Sequence, residues 1–494
     1  MKKRLLSLLA AAALLTAWPV SAAEPVYVPY ESYTYSTQSG TQAQHCPTPY
    51  RPAATIDRTS LGVPLTSPEC LVTDSSGRLY IADSTANALY VLSADYTLIT
   101  AIDVLEDDEG GMEFLGGPTG LFIRESTGSL YVCDTNQNRI IELDLSTYRI
   151  RRIIRDVVPT GLSADEDYLF LPTQVAVDDS GSLYVLVRND YKGILQLDET
   201  GRFIGYIGSN SVSFDPVTRL WKKLMNKEQR RQMEQFLPVE YTNLFMDAEG
   251  LIYTVSRSGE DSPIKRLNLA GKDVLTRNGY VDVCGDITAD KSERSSFTDI
   301  TADAQGVIYA LDAAKGRIFV YNAEGFLFYV FGGLGKQIGC FAVPSAIAVS
   351  GGNILVADKG VGRITVFSRT DYAELIAQAD QSYNAGQYEE SLAAWEAVLE
   401  KNASFELAYA QIGKIWLRRG EYQKAMTYFT LGNYRGDAVT KNTGFNKAFS
   451  EFRRETAARW FAPAAVVCLA ALAAAVVIRQ LRRRRGKGKG GDGA

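Results

Sequence analysis

Histidine is almost missing from this chain: one residue, His45, in 494. That scarcity excludes a Ser-His-Asp triad, a histidine-built zinc site and the usual general base from nearly the whole sequence. Cysteine is sparse as well. Of the six, Cys468 stands in a long apolar run; Cys46, Cys70, Cys133, Cys284 and Cys340 are odd in number, far apart, and form no CxxC pair. This is no disulfide scaffold, and a single bridge or buried free thiols both remain open. Basic residues are scarce away from the two ends. Setting aside Lys2, Lys3, Arg4, the seven basic residues after Ile478 and Asp492 leaves 42 basic against 56 acidic side chains. Nucleic acid wants the opposite sign, so none is expected as a partner. The densest acidic stretch, Glu106 to Glu109 with Glu113, lacks the ligand spacing of a calcium loop and reads as a solvated turn. Neither a metal nor a cofactor is predicted.

Two apolar runs bracket the chain. Lys2-Lys3-Arg4, the run Leu5 to Ala17 and then Val20-Ser21-Ala22 follow the order of a secretory signal, which predicts a signal peptide over 1–22. Trp460 to Ile478 is 19 residues without a charge, about 28 Å as a helix and long enough to cross a bilayer. Arg479, Arg482 to Arg485, Lys487 and Lys489 follow at once, which places the tail 479–494 in the cytoplasm. The expectation is a single-pass plasma-membrane protein with its bulk outside the cytoplasm.

Between these ends a pattern recurs six times: a turn glycine, a short strand that often ends in Asp, then a second strand. It runs Gly77-Arg-Leu-Tyr-Ile-Ala-Asp83, Gly128-Ser-Leu-Tyr-Val-Cys-Asp134, Gly181-Ser-Leu-Tyr-Val-Leu-Val187, Gly250-Leu-Ile-Tyr-Thr-Val-Ser256, Gly306-Val-Ile-Tyr-Ala-Leu-Asp312 and Gly352-Asn-Ile-Leu-Val-Ala-Asp358. Second strands such as Asn138-Arg-Ile-Ile and Gly316-Arg-Ile-Phe follow, and a strand precedes each glycine. Four short strands per unit of about 50 residues predict a propeller, because a lone unit cannot bury both of its faces. The series resembles the NHL repeat family over roughly Val63 to Arg369, which implies a six-bladed β-propeller over 63–370. Val187 and Ser256 stand where that pattern has Asp, so blades three and four are expected to be less regular. A ring must close, and the aromatic stretch Val26 to Tyr35, within the N-terminal segment 23–62, is the expected source of the closing strand.

An insertion at 209–240 carries helix caps and a basic face with Lys222, Lys223, Lys227, Arg230 and Arg231. Its two readings are a helical flap packed on the propeller and a contact surface for an acidic partner or for lipid headgroups. After Asp371 the period changes. Gly386-Gln-Tyr388 recurs as Gly420-Glu-Tyr422, and Ala379 recurs as Gly413, each 34 residues on. This resembles the tetratricopeptide repeat, implying two repeats over 371–435 and a capping helix over 436–459 before the span at 460–478. Matched to that family's concave positions, Asp380, Tyr383, Asn384, Lys414, Leu417 and Arg418 would line a peptide groove. The fold class expected is therefore an all-β six-bladed propeller, a small α-helical tetratricopeptide-repeat module and one transmembrane helix.

The order propeller, helical pair, span resembles bacterial membrane-anchored envelope proteins. That resemblance implies a binding or scaffold role in which the propeller recognises a protein or glycan ligand outside the cell. The helices would dock or space it, beside a sugar transporter or another envelope protein. Some propellers of related form are calcium-dependent lactonases or lyases. On that second reading Asp83, Asp134, Asp312 and Asp358 would gather at the axis, although their recurrence suits hydrogen bonding within each blade. A third reading is a purely structural envelope protein.

Overall fold

The computed structural model describes residues 28–487 apart from 38–40, 108, 161–167, 209–239, 258–261, 289, 291–292 and 433–443. The signal peptide expected at 1–22 and the basic insertion residues Lys222, Lys223, Lys227, Arg230 and Arg231 lie outside the described residues, as does the end of the tail beyond Lys487.

Six antiparallel sheets stand around one axis. Blade one is Pro68–Thr73, Leu79–Asp83, Ala88–Leu92 and Leu98–Ile102. Blade two is Pro118–Arg124, Ser129–Asp134, Arg139–Asp144 and Ile150–Arg155. Blade three, Pro172–Val177, Leu183–Val187, Ile194–Leu197 and Phe203–Ile207, is as regular as these. Blade four has three strands among the described residues, Tyr241–Met246, Ile252–Ser256 and Ile264–Leu267. Blade five begins with Phe297–Ala302, Ile308–Asp312, Arg317–Tyr321 and Leu327–Gly332. Blade six has Pro344–Ser350, Asn353–Asp358 and Arg363–Arg369. The first strands of successive blades touch all the way round, from blade one to six and back to one. In every blade the second strand is buried along its length, Asn353 of blade six alone excepted, because neighbouring sheets cover both of its faces. A strand covered on two sides reads as a continuous apolar run, which is why Leu-Tyr-Ile-Ala shows no alternation.

Ring closure comes from the expected N-terminal segment 23–62, but from a later stretch of it than expected. The fourth strand of blade six is Tyr50–Asp57, paired antiparallel with Arg363–Arg369 from Arg363↔Asp57 to Arg369↔Tyr50. The described part of the expected stretch, Val28 to Tyr35, does not close the ring. Its Tyr33–Ser36 forms a hairpin with Gln42–His45 and meets the outer strand of blade five at Tyr33↔Val330. The physical reason is anchorage: the hydroxyls of Tyr33 and Tyr35 both donate to Asp286, at 2.5 and 3.1 Å. Asp286 also accepts from Lys315 Nζ and Arg317 at 2.7 and 2.6 Å, which fixes the hairpin on blade five.

The two Asp positions of each repeat are explained locally. The turn aspartates Asp74, Asp178 and Asp303 each accept backbone N–H bonds from residues two and four positions on. Each also accepts the hydroxyl of the repeat tyrosine: Tyr80, Tyr184 and Tyr309, at 3.0–3.2 Å. The strand-end aspartates act on the loop that enters the blade. Asp83 accepts from the N–H groups of Thr66, Ser67, Thr85 and Ala86, and Asp358 from those of Ala342, Val343 and Gly360.

Four antiparallel helices follow: α1 (Asp371–Asn384), α2 (Tyr388–Lys401), α3 (Glu406–Arg418) and α4 (Tyr422–Leu431). The small residues at the 34-residue offset mark close helix approaches. Ser391 Oγ donates to Ala379 O at 2.8 Å, and a Cβ at Gly413 would fall 2.8 Å from the Phe429 ring. The module does not stand clear of the propeller. Tyr372, Ile376, Trp395 and Phe405 share one hydrophobic core with Tyr309, Phe326, Phe328 and Tyr329 of blade five and with Ile354 and Phe367 of blade six. The last helix, α5, runs unbroken from Gly444 to Lys487. Its start packs on α4 through Phe429, Ala425 and Ala448. Of the capping helix expected at 436–459, the described residues 444–459 are the first part of the same helix that carries the apolar run. α5 is long and apolar enough to cross a membrane, with mean hydropathy 2.6 in its most apolar window and no part of that window buried.

Candidate ligand pocket in the propeller channel

The first strand of every blade carries the same irregularity. Its register slips after the first residue, at Pro68/Cys70, Pro118/Gly120, Pro172/Gln174, Tyr241/Asn243, Phe297/Asp299 and Pro344/Ala346. A bulge re-aims the side chain that follows it. The bulged residue itself often locks adjacent blades: Thr119 Oγ1 donates to Thr173 O, Thr242 Oγ1 to Phe297 O and Ser345 Oγ to Pro68 O, at 2.6–3.0 Å. The residues just past the bulges therefore form one ring about the axis: Cys70, Gly120, Gln174, Asn243, Asp299 and Ala346.

Four of these, Cys70, Gln174, Asn243 and Asp299, line one end of a cavity of about 540 Å³. All six blades line it, and its other end lies at the turns after the first strands, near Glu125, Asp179 and Ala248. Its walls include Val72, Phe122, Phe245 and Val349, with Thr73 and Thr301 between them. Apolar walls with a few convergent polar groups are the usual make-up of a small-molecule site. Arg124 is the one cationic side chain among the lining residues, and it is held at the turn end, donating to Asp179 O at 2.7 Å. Glu125 is tied to blade one, accepting from Ser75 N and Oγ at 2.5 and 2.6 Å.

The polar end is unusual in its carboxyl group. Asp299 is 7% exposed, and its Oδ1 accepts from Ile300 N at 2.7 Å. Its Oδ2 accepts from Ile347 N of the next blade at 2.6 Å. Burial pushes its carboxyl up to about 8, against the pull of those two N–H bonds. Asn243 occupies the same place in blade four, with Oδ1 accepting from Leu244 N at 2.6 Å. Burial also raises the Cys70 thiol, to about 12, with the nearby Asp299 adding to the shift. Gly120 is required here: a Cβ would lie 2.4 Å from Thr173 O and 2.9 Å from the Gln174 side-chain oxygen. This ring was not singled out from sequence. Its only sequence signal is a polar residue at the same step of the first strand in blades three, four and five.

The aspartates considered for a metal do not gather at the axis. Asp83, Asp134, Asp312 and Asp358 are fully buried on second strands, each bonded within its own blade. The acidic stretch is likewise committed in part, with Glu113 paired to Arg139 at 2.6 Å and Glu106 to Arg149 at 3.0 Å. Among the described residues no three His, Cys, Asp or Glu side chains group so as to hold a metal ion.

The expected peptide groove is partly filled by the protein itself. Asp380 is buried; its Oδ1 accepts from Asn322 Nδ2 of blade five and its Oδ2 from Asn384 Nδ2, at 3.1 and 3.2 Å. Burial pushes its carboxyl up to about 6, with the Asn322 bond opposing. Lys414 pairs with Glu324 at 2.9 Å and lies over the Phe326 ring. Arg418 lies over Tyr383 and Tyr388, bonding the Tyr383 hydroxyl at 3.2 Å, and Leu417 is half-buried beside Phe429 and Ala448. The turn 322–326 of blade five thus takes the end of the groove held by Asp380 and Lys414. Helical spacing shows which residues share a face, not what covers that face.

Residues 341–367 match the NHL repeat, so the chain carries at least one such repeat within a six-bladed propeller. No curated protein matches the chain. Among solved structures, it is similar to virginiamycin B lyase from Staphylococcus aureus at 13% identity, over 64% of this chain and 98% of that one, with a TM-score of 0.39. A Bacteroides thetaiotaomicron protein of unknown function is similar at 11% identity, over 69% of this chain and 90% of that one, with a TM-score of 0.42.

Proposed function

We propose that this chain is a membrane-anchored receptor or scaffold outside the cytoplasm, whose propeller recognises a ligand and whose helices hold the propeller to its anchor. In this reading α1 to α4 are two tetratricopeptide repeats and α5 is the transmembrane helix, with the basic tail in the cytoplasm. The ligand is a glycan or a protein segment, and an envelope partner such as a sugar transporter receives it. The observation that carries the reading is the shared core between α1 to α3 and blades five and six. Through that core, and the packing of α5 on α4, the pocket and the apolar helix belong to one frame. A ligand in the channel is then presented at a set place relative to the anchor.

The test is crosslinking of the full-length protein in its native membrane, with native mass spectrometry of the purified chain. The comparison is Val72→Trp, which puts an indole into the channel from a half-buried wall position. Deleting the helices is a poor control, because it would bare Tyr309, Phe326 and Phe328. A partner or bound molecule found with the wild type and lost with Val72→Trp is expected. Neither a crosslinked partner nor a bound molecule in the wild type would leave the structural envelope reading in its place.

A further inference from the structure

Both Asp299 oxygens already accept backbone N–H bonds, one from its own strand and one from blade six. No lysine or arginine stands at this end of the pocket among the lining residues. A buried carboxylate without a cationic partner is costly, so the group holds its proton at neutral pH. Both oxygens are engaged by N–H donors and Asp299 lines the cavity, so the lumen is where that proton can meet an acceptor. Asn243 repeats the logic: its Oδ1 is used by Leu244 N, and it lines the same cavity, so its amide hydrogens are available to a ligand there. The Gln174 side-chain oxygen lies toward Gly120. The titratable neighbour, Cys70, is a thiol whose pKa is also raised by burial.

We infer that the ring end of the pocket is a donor floor, in which the Asp299 O–H and the Asn243 amide receive an acceptor oxygen of a neutral ligand. The chemistry selected is a carbonyl or ether oxygen on an uncharged molecule that also offers an apolar face to Phe122 and Phe245. An acetamido sugar or a peptide carbonyl has that character. A ligand ammonium would meet donors, and a ligand carboxylate would meet no cation at this depth. The inference rests on the receptor reading only for its natural ligand, since the floor can be tested with simple probes.

The experiment is infrared difference spectroscopy on the full chain in detergent, from pH 5 to 9.5, for the wild type and Asp299→Asn. The probes are N,N-dimethylacetamide, acetate and tetramethylammonium. A protonated-carboxyl band that disappears with a midpoint near pH 8 and is absent from Asp299→Asn is expected. Dimethylacetamide should shift that band saturably at pH 6 and bind about tenfold more weakly at pH 9.5, the worth of one hydrogen bond. Acetate and tetramethylammonium should leave it in place. Asn at 299 would turn an amide N–H toward Ile300 N or Ile347 N, so that variant can fail to fold; the wild-type pH series then decides alone. An Asp299 ionised at pH 6, or a band moved by the ions and not by the amide, overturns the inference. A responsive band in a protein that captures no partner and carries no ligand would overturn the receptor reading and leave the donor floor standing.

Discussion

Asp83→Ala separates a carboxylate that clamps a blade from one that serves a metal. The Asp83 carboxylate is fully buried and accepts from four backbone N–H groups: Thr66 at 2.5 Å, Ser67 and Thr85 at 3.1 Å, and Ala86 at 2.9 Å. Removing it strands those donors where water reaches poorly. At about 1 kcal/mol for each, the loss is about 4 kcal/mol. For a chain of this size the entropy of unfolding converts that into a fall in Tm of about 5 °C. Asp83→Asn keeps the Oδ1 side, which serves Thr85 and Ala86, and turns its amide toward Thr66; about half the loss is expected. Blades three and four have Val187 and Ser256 at this step and still form, so the clamp stabilises a blade without being a condition for it. The assay is thermal unfolding of the full chain in detergent at pH 7, with and without a calcium chelator. Asp83→Ala melting within about 1 °C of the wild type would refute the clamp. So would a wild type that loses several degrees on chelation while Asp83→Ala does not.

The same reasoning reaches the junction and the seam. Asp380 has its pKa raised by burial to about 6, so its protonated form favours the fold fully below pH 4, and that contribution is lost as pH rises from 4 to 6. Asp380→Asn keeps an acceptor for Asn322 and does not titrate, so its Tm relative to the wild type should climb across that window; a constant difference would place Asp380 outside the junction. Removing residues 28–57 takes away the fourth strand of blade six and leaves Arg363–Arg369 as an open edge. Circular dichroism melts should then lose their single sharp transition and light scattering should rise, whereas an unchanged monomer would show that the ring closes without this strand.

Much of the architecture was legible in the residues because its causes are local. A glycine such as Gly77, at φ 81°, makes the turn after a first strand, and its N–H bonds Asp74 O at 2.9 Å. Asp74 and Tyr80, six positions apart, find each other within one hairpin. The apolar second strands announce that both faces are covered, and the 34-residue offset announces paired helices; none of this requires knowing what lies across the ring. Tertiary structure decided the rest. Tyr50–Asp57 has little alternation and carries Pro52, which lacks an N–H and reads as non-strand, yet an outer strand with one bonded edge accommodates it opposite Phe367. The hairpin around Tyr33 is placed by Asp286, some 250 residues later in the chain. Asp380 reads as a groove residue until blade five supplies Asn322, and Asp299 reads as one more strand aspartate until Ile347 of the next blade bonds it. Helical and strand periodicities name the residues that share a face. Only the packing of one element on another decides whether that face is covered, and so whether a buried carboxyl there keeps its proton.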